Sequence, residues 1–311
     1  MISKFTLLFL SLTICTTALG AKPGVGISRK GDTIEVTVGG KPFAVYNANS
    51  KGKLPKPFFY PVRGPGGTVL TRKILQEAGS EKLNLGHKHH KGIWVAVDEV
   101  NHVRFWAEKG LITTSKIVAV EDARDGSAAF GVVNEWKGED GKTIVYESTT
   151  IRIYPNRVLA YDIVFTPAGK PVTFRDTKEG IFGFRMVKSM RENESGKVEN
   201  SAGLKGTKAC WGKTANWIDY YGPIDGKTFG VAIFDHPKNF RKSRYHVRHY
   251  GLFSISPFGE KAYTGGKNPA QPVTIQPGKS LRLRYAMYIH AGDTKAAKVA
   301  DVYKSYVKSA K

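Results

Sequence analysis

The stretch GHKHHKGIW, residues 86–94, places three of the chain's eight histidines, His87, His89 and His90, within four positions. Imidazole titrates near neutral pH and offers a nitrogen lone pair, so such a cluster suits two chemistries, proton transfer and metal ligation. In extended or turn backbone His87 and His89 project to one side and His90 to the other. A second group, His246 and His249, alternates with Val247 and Arg248 in HVRHYG. A metal site would draw on His87, His89 and His249. Imidazole sites usually add a carboxylate, however, and no acidic residue adjoins either group, so no cofactor is assigned and a metal ion stays an alternative. Proton transfer asks for less: His90 and His246 are the expected catalytic imidazoles, and Glu179 of TKEG the expected carboxylate. Glu179 is chosen because it lies between strand-like runs, ahead of Gly180 and near Arg185. Asp219 and Glu260 compete with it.

Binding residues are expected beside these groups: His89, Trp106, Arg185, Trp217, Asn239 and Arg248. Aromatic faces stack on the apolar faces of sugar rings, and Trp106 and Trp217 sit among polar neighbours, whereas Trp94 in the apolar run IWVAV reads as core. Arg185 and Arg248 can hold a carboxylate or sulfate in a fork of paired hydrogen bonds. Asn239 in DHPKN either meets the ligand or orients its own loop. Cys210, beside Trp211, reads as a small buried apolar residue, not a reactive thiol.

The segments that carry these residues interrupt a chain dominated by strand signals. Thr33 to Val38 alternates polar and apolar, Gly39-Gly40 supplies a two-residue turn, and Lys41 to Tyr46 returns, with Pro42 suggesting an edge strand. Alternating runs flank Arg124-Asp125-Gly126 and Pro155-Asn156-Arg157, and Leu281 to Ile289 forms another, its arginines at 282 and 284 facing away from its leucines. Strands so spaced, without helical periodicity between them, predict an antiparallel sandwich. One helix is expected after Asp293 or Thr294, with Val299, Val302, Tyr303 and Tyr306 on one face. Residues 22–311 read as a single β-sandwich domain.

Residues 1–20 have the build of an export signal: Lys4, the apolar run Phe5 to Ile14, and small residues before a cut after Gly20. A secreted or periplasmic location follows from it. Beyond the signal no apolar run reaches the roughly 18 residues of a membrane span. If Cys15 leaves with the signal, Cys210 has no disulfide partner within the chain. The formal net charge of +22 attracts anions, yet the lysines are scattered and not gathered in an arm. An acidic polysaccharide therefore fits better than nucleic acid.

Read together and in order, YPVRGPGG, GHKHHKGIW with a later FW, TKEGIFGFR, the tryptophans 211 and 217, DHPKN and HVRHYG followed by PFG resemble the PmoA-like family of secreted bacterial proteins. The match covers most of the chain after the signal. Methane oxidation is not carried over, because the membrane subunit behind that label spans the bilayer many times and this chain has no spanning segment. The resemblance implies a galactose-mutarotase-like, mainly antiparallel β-supersandwich with a short C-terminal helix. It also implies an association with polysaccharide breakdown and a histidine acid paired with a glutamate base. The expected function is thus proton transfer on a saccharide, by a hydrolase, lyase or epimerase. Two other classes stay open: a non-catalytic carbohydrate-binding protein and a metal-dependent enzyme.

Overall fold

A strand that alternates polar and apolar residues must bury its apolar side, and two such sheets solve the problem for each other. A computed structural model describes residues 24–74 and 86–309; the expected export signal and Cys15 lie outside the described residues. Among the described residues, eight strands form a first sheet in the spatial order β1 (Val25–Lys30), β2 (Thr33–Val38), β3 (Lys41–Asn47), β4 (Phe58–Val62), β5 (Ile93–Val95), β11 (Phe182–Arg185), β16 (Leu252–Ser256), β15 (Arg244–Val247). Eight more form a second: β12 (Lys197–Asn200), β13 (Trp217–Ile224), β14 (Lys227–Asp235), β18 (Leu281–Ala291), β9 (Val158–Pro167), β8 (Thr143–Ile153), β7 (Ala128–Lys137), β6 (Leu111–Asp122). A short pair, β10 (Val172–Phe174) with β17 (Val273–Ile275), stands apart. Neighbouring strands are antiparallel throughout, as the hairpin signals predict.

The core lies between the two sheets. Phe59 and Phe182 from the first sheet meet Tyr161 from the second at ring-centroid distances of 6.5 and 4.5 Å, and Phe182 also lies 6.1 Å from Tyr285. The C-terminal helix, Val299–Ser309, covers the outer side of the second sheet: Val299 and Tyr306 are buried, and Phe234 lies 5.6 Å from Tyr303 and 5.9 Å from Tyr306. Its expected face is the one that packs.

Pro42 does not mark an edge. β3 pairs with β2 on one side and β4 on the other, and the proline sits where the β2 register slips between Val36 and Thr37. The pairing to β4 begins only at Ala44, so the N–H that proline lacks is not needed there. Cys210 is buried as expected, and burial pushes its thiol up to about 11.

Asp219, a competitor for the catalytic carboxylate, is instead a structural tie. Fully buried on β13, it receives the Thr294 hydroxyl at 2.6 Å and lies 2.9 Å from His290 Nε2 on β18. Burial opposes charge on His290, but the Asp219 carboxylate outweighs it and the imidazole pKa is raised. A raised imidazole pKa means stabilisation present below about pH 6.5 and lost as pH rises through the folded-state value. The difference in unfolding free energy between the wild type and Asp219→Asn should therefore shrink above that pH, as read by denaturant titrations on both proteins.

Candidate functional site

Residues paired across an antiparallel sheet share a face. Across the first sheet, His246 pairs with Ser254, Ser254 with Gly183, and Gly183 with Trp94, so these four form one row. Their strand neighbours Tyr245, Phe253, Phe182 and Ile93 point into the core, which leaves the row on the outer side. Glycine is required at 183: a Cβ there would lie 2.7 Å from the Trp94 indole, which lies over that position.

On Trp94 stands a column of rings. His90 stacks on it at 5.4 Å and 13°, His87 on His90 at 5.0 Å and 5°, and Tyr250 on His87 at 5.3 Å and 4°. Trp106 packs against the base of the column, 5.5 Å from His90 and 5.0 Å from Trp94. The column climbs from buried Trp94 and His90 to exposed His87.

The histidine loop is held from below by cations bound to its carbonyls. Arg72 donates to Gly86 O (2.8 Å), His87 O (2.9 Å) and His90 O (3.2 Å), and buried Lys56 donates to His89 O at 2.8 Å. Lys56 and Lys91 share the carboxylate of Glu108. The loop closes at Gly92, whose φ of +53° and position, with a hypothetical Cβ 1.8 Å from Phe59 O, admit no side chain.

This setting keeps the imidazoles neutral. Burial, then the charges of Arg185, Arg72 and Arg248, lower His87; burial, then Lys56, holds His89 at about 4; burial, then His89 and Arg185, drives His90 well down. Neutral imidazole is what a metal needs, and nitrogens of His87, His89 and His90 lie within 4.8 Å of one another. The residues as arranged do not fit one. Stacked rings carry their lone pairs in separate parallel planes, so one ion cannot lie in the planes of both His87 and His90. The surrounding charges, Arg72, Arg185 and Arg248, also repel a cation. His249, the third expected ligand, stands outside this trio, against Tyr250.

Glu179 stands at the other end of the row. Its carboxylate lies 3.6 Å from His246 Nδ1 and is about one-quarter exposed. Burial raises its pKa above the usual carboxylate value, against the pull of Lys178 and Arg248. His246 itself is fully engaged: Nδ1 lies 3.1 Å from the Lys178 carbonyl, and Nε2 accepts from Arg248 Nε at 3.0 Å. Burial, then Arg248, lowers it to about 3. A neutral ring with both nitrogens occupied positions its neighbours and has no proton ready to give, which corrects the expectation of a histidine acid at 246. Arg248 continues over Trp211, its guanidinium 5.6 Å from the ring. Asp98, whose backbone N–H donates to Glu179 O at 2.8 Å, adds a second carboxyl, paired with Arg104.

The two halves meet at Tyr250, which stacks on His87 and lies 4.8 Å beneath the Arg185 guanidinium. His87, His89, His90, Glu179, Arg185, His246 and Arg248 are thus gathered on one side of the first sheet. Three expected binding residues are not available to a ligand there. Trp106 is 2 % exposed and serves as backing for His90. Trp217 lies on β13 in the second sheet, packed with the cluster under the C-terminal helix. Asn239 spends its amide on Asp235 and on both backbone groups of Arg284. Glu260 pairs with Arg244 through two hydrogen bonds at 2.8 and 2.6 Å and is likewise structural. Residues missed from sequence are Arg72, Asp98, Tyr250 and Ser254; only Tyr250, inside HVRHYG, had a signal that could have found it.

Comparison with known proteins adds the following. A family model described as "Family of unknown function (DUF6807)" matches residues 33–304, and no methane-oxygenase label accompanies it. A search of the curated proteins gives no match. Among solved structures, galactose 1-epimerase from Lactobacillus acidophilus NCFM is similar at 9 % identity and a TM-score of 0.41, over 86 % of this chain and 98 % of that one. The GH36 alpha-galactosidase AgaA from Geobacillus stearothermophilus is similar at 10 % identity and a TM-score of 0.40, over 86 % of this chain and 40 % of that one. A beta-arabinopyranosidase is similar at 11 % identity and a TM-score of 0.36, over 85 % and 38 %. This chain spans about two fifths of the length of those two hydrolases.

Proposed function

We propose, for a chain that belongs to the family of unknown function DUF6807, that the outer side of its first sheet is a saccharide site at which Glu179 transfers a proton. The observation that carries this reading is the position of Glu179: a partly exposed carboxylate with a raised pKa, 3.6 Å from His246 Nδ1 and in the electrostatic reach of Arg248 and Tyr250. Aromatic edges bordered by hydrogen-bonding cations suit a pyranose, which offers C–H groups and a polar rim. A carboxyl group titrating closer to neutrality exchanges protons at physiological pH more readily than one at its ordinary value. His246 and Arg248 hold that carboxylate's surroundings in place. The export signal, in this proposal, delivers the protein to polysaccharide outside the cytoplasm.

A non-catalytic binding protein is the competing reading, favoured by the engagement of both His246 nitrogens. A screen of neutral, uronate and sulfated oligosaccharides, with and without chelator, separates the two when both binding and product formation are followed. Turnover insensitive to chelator, read as new reducing ends, unsaturated products or inverted stereocentres, is the expected result. Saccharide binding without any product would leave the binding reading, and absence of binding across the panel would remove the saccharide from the proposal.

A further inference from the structure

Among the described residues, Arg185 is a cation with no anion beside it. The residue is 4 % exposed, and neither Nε nor Nη1 makes a hydrogen bond within the protein. Burial, then the like charges of Arg72 and Arg191, pull its pKa down to about 9, while the phenols of Tyr250 and Tyr220 act the other way. Arg72 and Arg191 share its condition, since the Nε of each is also buried without a partner. Ion pairing with the described residues therefore does not explain the cluster.

Removing a guanidinium from water without an acceptor is costly, and gathering three adds mutual repulsion. The contact of Arg185 with the Tyr250 ring recovers part of that cost but satisfies none of its N–H groups. Arg248, the expected second arm of an anion fork, spends its Nε on His246. Arg72 ties the histidine loop with its two terminal nitrogens and keeps Nε free. An oxyanion bound among them would relieve the repulsion and fill the missing hydrogen bonds together.

We infer that Arg185, Arg72 and Arg191 form a subsite for an oxyanion group of the substrate, a carboxylate or a sulfate ester, so that the substrate class is an acidic saccharide. The inference rests on the saccharide reading above. Carboxylate and sulfate offer the same chemistry to a guanidinium, and the nearby rings of Tyr250 and His87 would border the sugar that bears it.

The test is calorimetry on the full chain after the signal with four probes: a uronate oligosaccharide, a sulfated one, a neutral one of equal length, and inorganic sulfate. The expected preference for one acidic ligand over the neutral is roughly 10- to 100-fold, the range for charged hydrogen bonds in a shielded site. Arg185→Met should erase the preference while raising the melting temperature of the unliganded protein, because an unpaired buried charge has gone. Arg185→Lys, which keeps the charge and the fold, should lose most of the preference, since an ammonium cannot form the planar fork. Equal affinity for neutral and acidic probes, or a preference that survives both substitutions, overturns the subsite and leaves the saccharide reading intact. Arg185-dependent binding of inorganic sulfate without binding of any oligosaccharide supports the subsite and removes the saccharide.

Discussion

On the proposed proton-transfer role, Glu179→Gln is expected to lower saccharide turnover by about 10²–10⁴-fold, the usual contribution of a positioned proton-transfer group. Glutamine keeps the shape and the hydrogen-bonding edge while removing the ability to take up or release a proton, so binding should change much less than rate. Folding should not suffer, because the carboxylate is held above its ordinary pKa mainly by burial and its charge is not paired at hydrogen-bond distance with an arginine or lysine. The same shift fixes the pH dependence. If Glu179 acts as the base, rate falls as pH drops through a value above 4.5, and the acid limb of a kcat/KM profile in the wild type should lie there. The sign for stability is the reverse of that for an ion-paired carboxylate: a folded pKa above the unfolded one means stability is highest at low pH and declines as pH rises from about 4.3 through the folded value. An undiminished rate in Glu179→Gln would transfer the role to another group, with Asp98 next in line.

The largest loss of stability is expected from Glu108→Gln. Glu108 accepts from Lys56, which is fully buried, and from Lys91 at 2.5 Å, so one carboxylate neutralises part of two sequestered ammonium groups. Burial lowers Lys56 to about 7 even with Glu108 beside it. Below pH 7, where Lys56 is charged in the wild type, removing the carboxylate partner of this buried pair costs about 3–5 kcal/mol in denaturant titrations. The double substitution Lys56→Met with Glu108→Gln should recover most of that loss, because the stranded charge disappears with its partner. Recovery of stability without recovery of ligand binding would show what the pair is for. Lys56 also donates to His89 O, and the histidine loop loses that anchor in the double variant.

Much of the fold was legible because strand signals are local. The Gly39-Gly40 turn, the turns at 124–126 and 155–157, and the alternating β18 all stand where alternation and turn residues place them. The C-terminal helix presents its expected face for the same reason. Sites depend on something less local, namely which strands become neighbours. The gathering of TKEG, HVRHYG and the histidine loop was anticipated from motifs, but the arrangement within the group follows from the row His246, Ser254, Gly183, Trp94, a register no local pattern reveals. Trp217 has the same polar surroundings in sequence as a surface tryptophan, yet its strand belongs to the other sheet. Arg72 carried no motif at all, and its role depends on carbonyls that turn toward it only once the loop is folded.

The seam between β5 and β11 gives this architecture a temporal consequence. The pairing of β5 with β11, Val95 with Phe182, Trp94 with Gly183 and Ile93 with Phe184, joins the early part of the first sheet to the late part, with the whole β6 to β9 meander intervening along the chain. The meander is built of adjacent hairpins and can form early, whereas the seam demands closure of a long excursion and comes late. Acquisition of ligand binding should then lag behind the appearance of β-structure during refolding, making activity a clock for the last step of assembly.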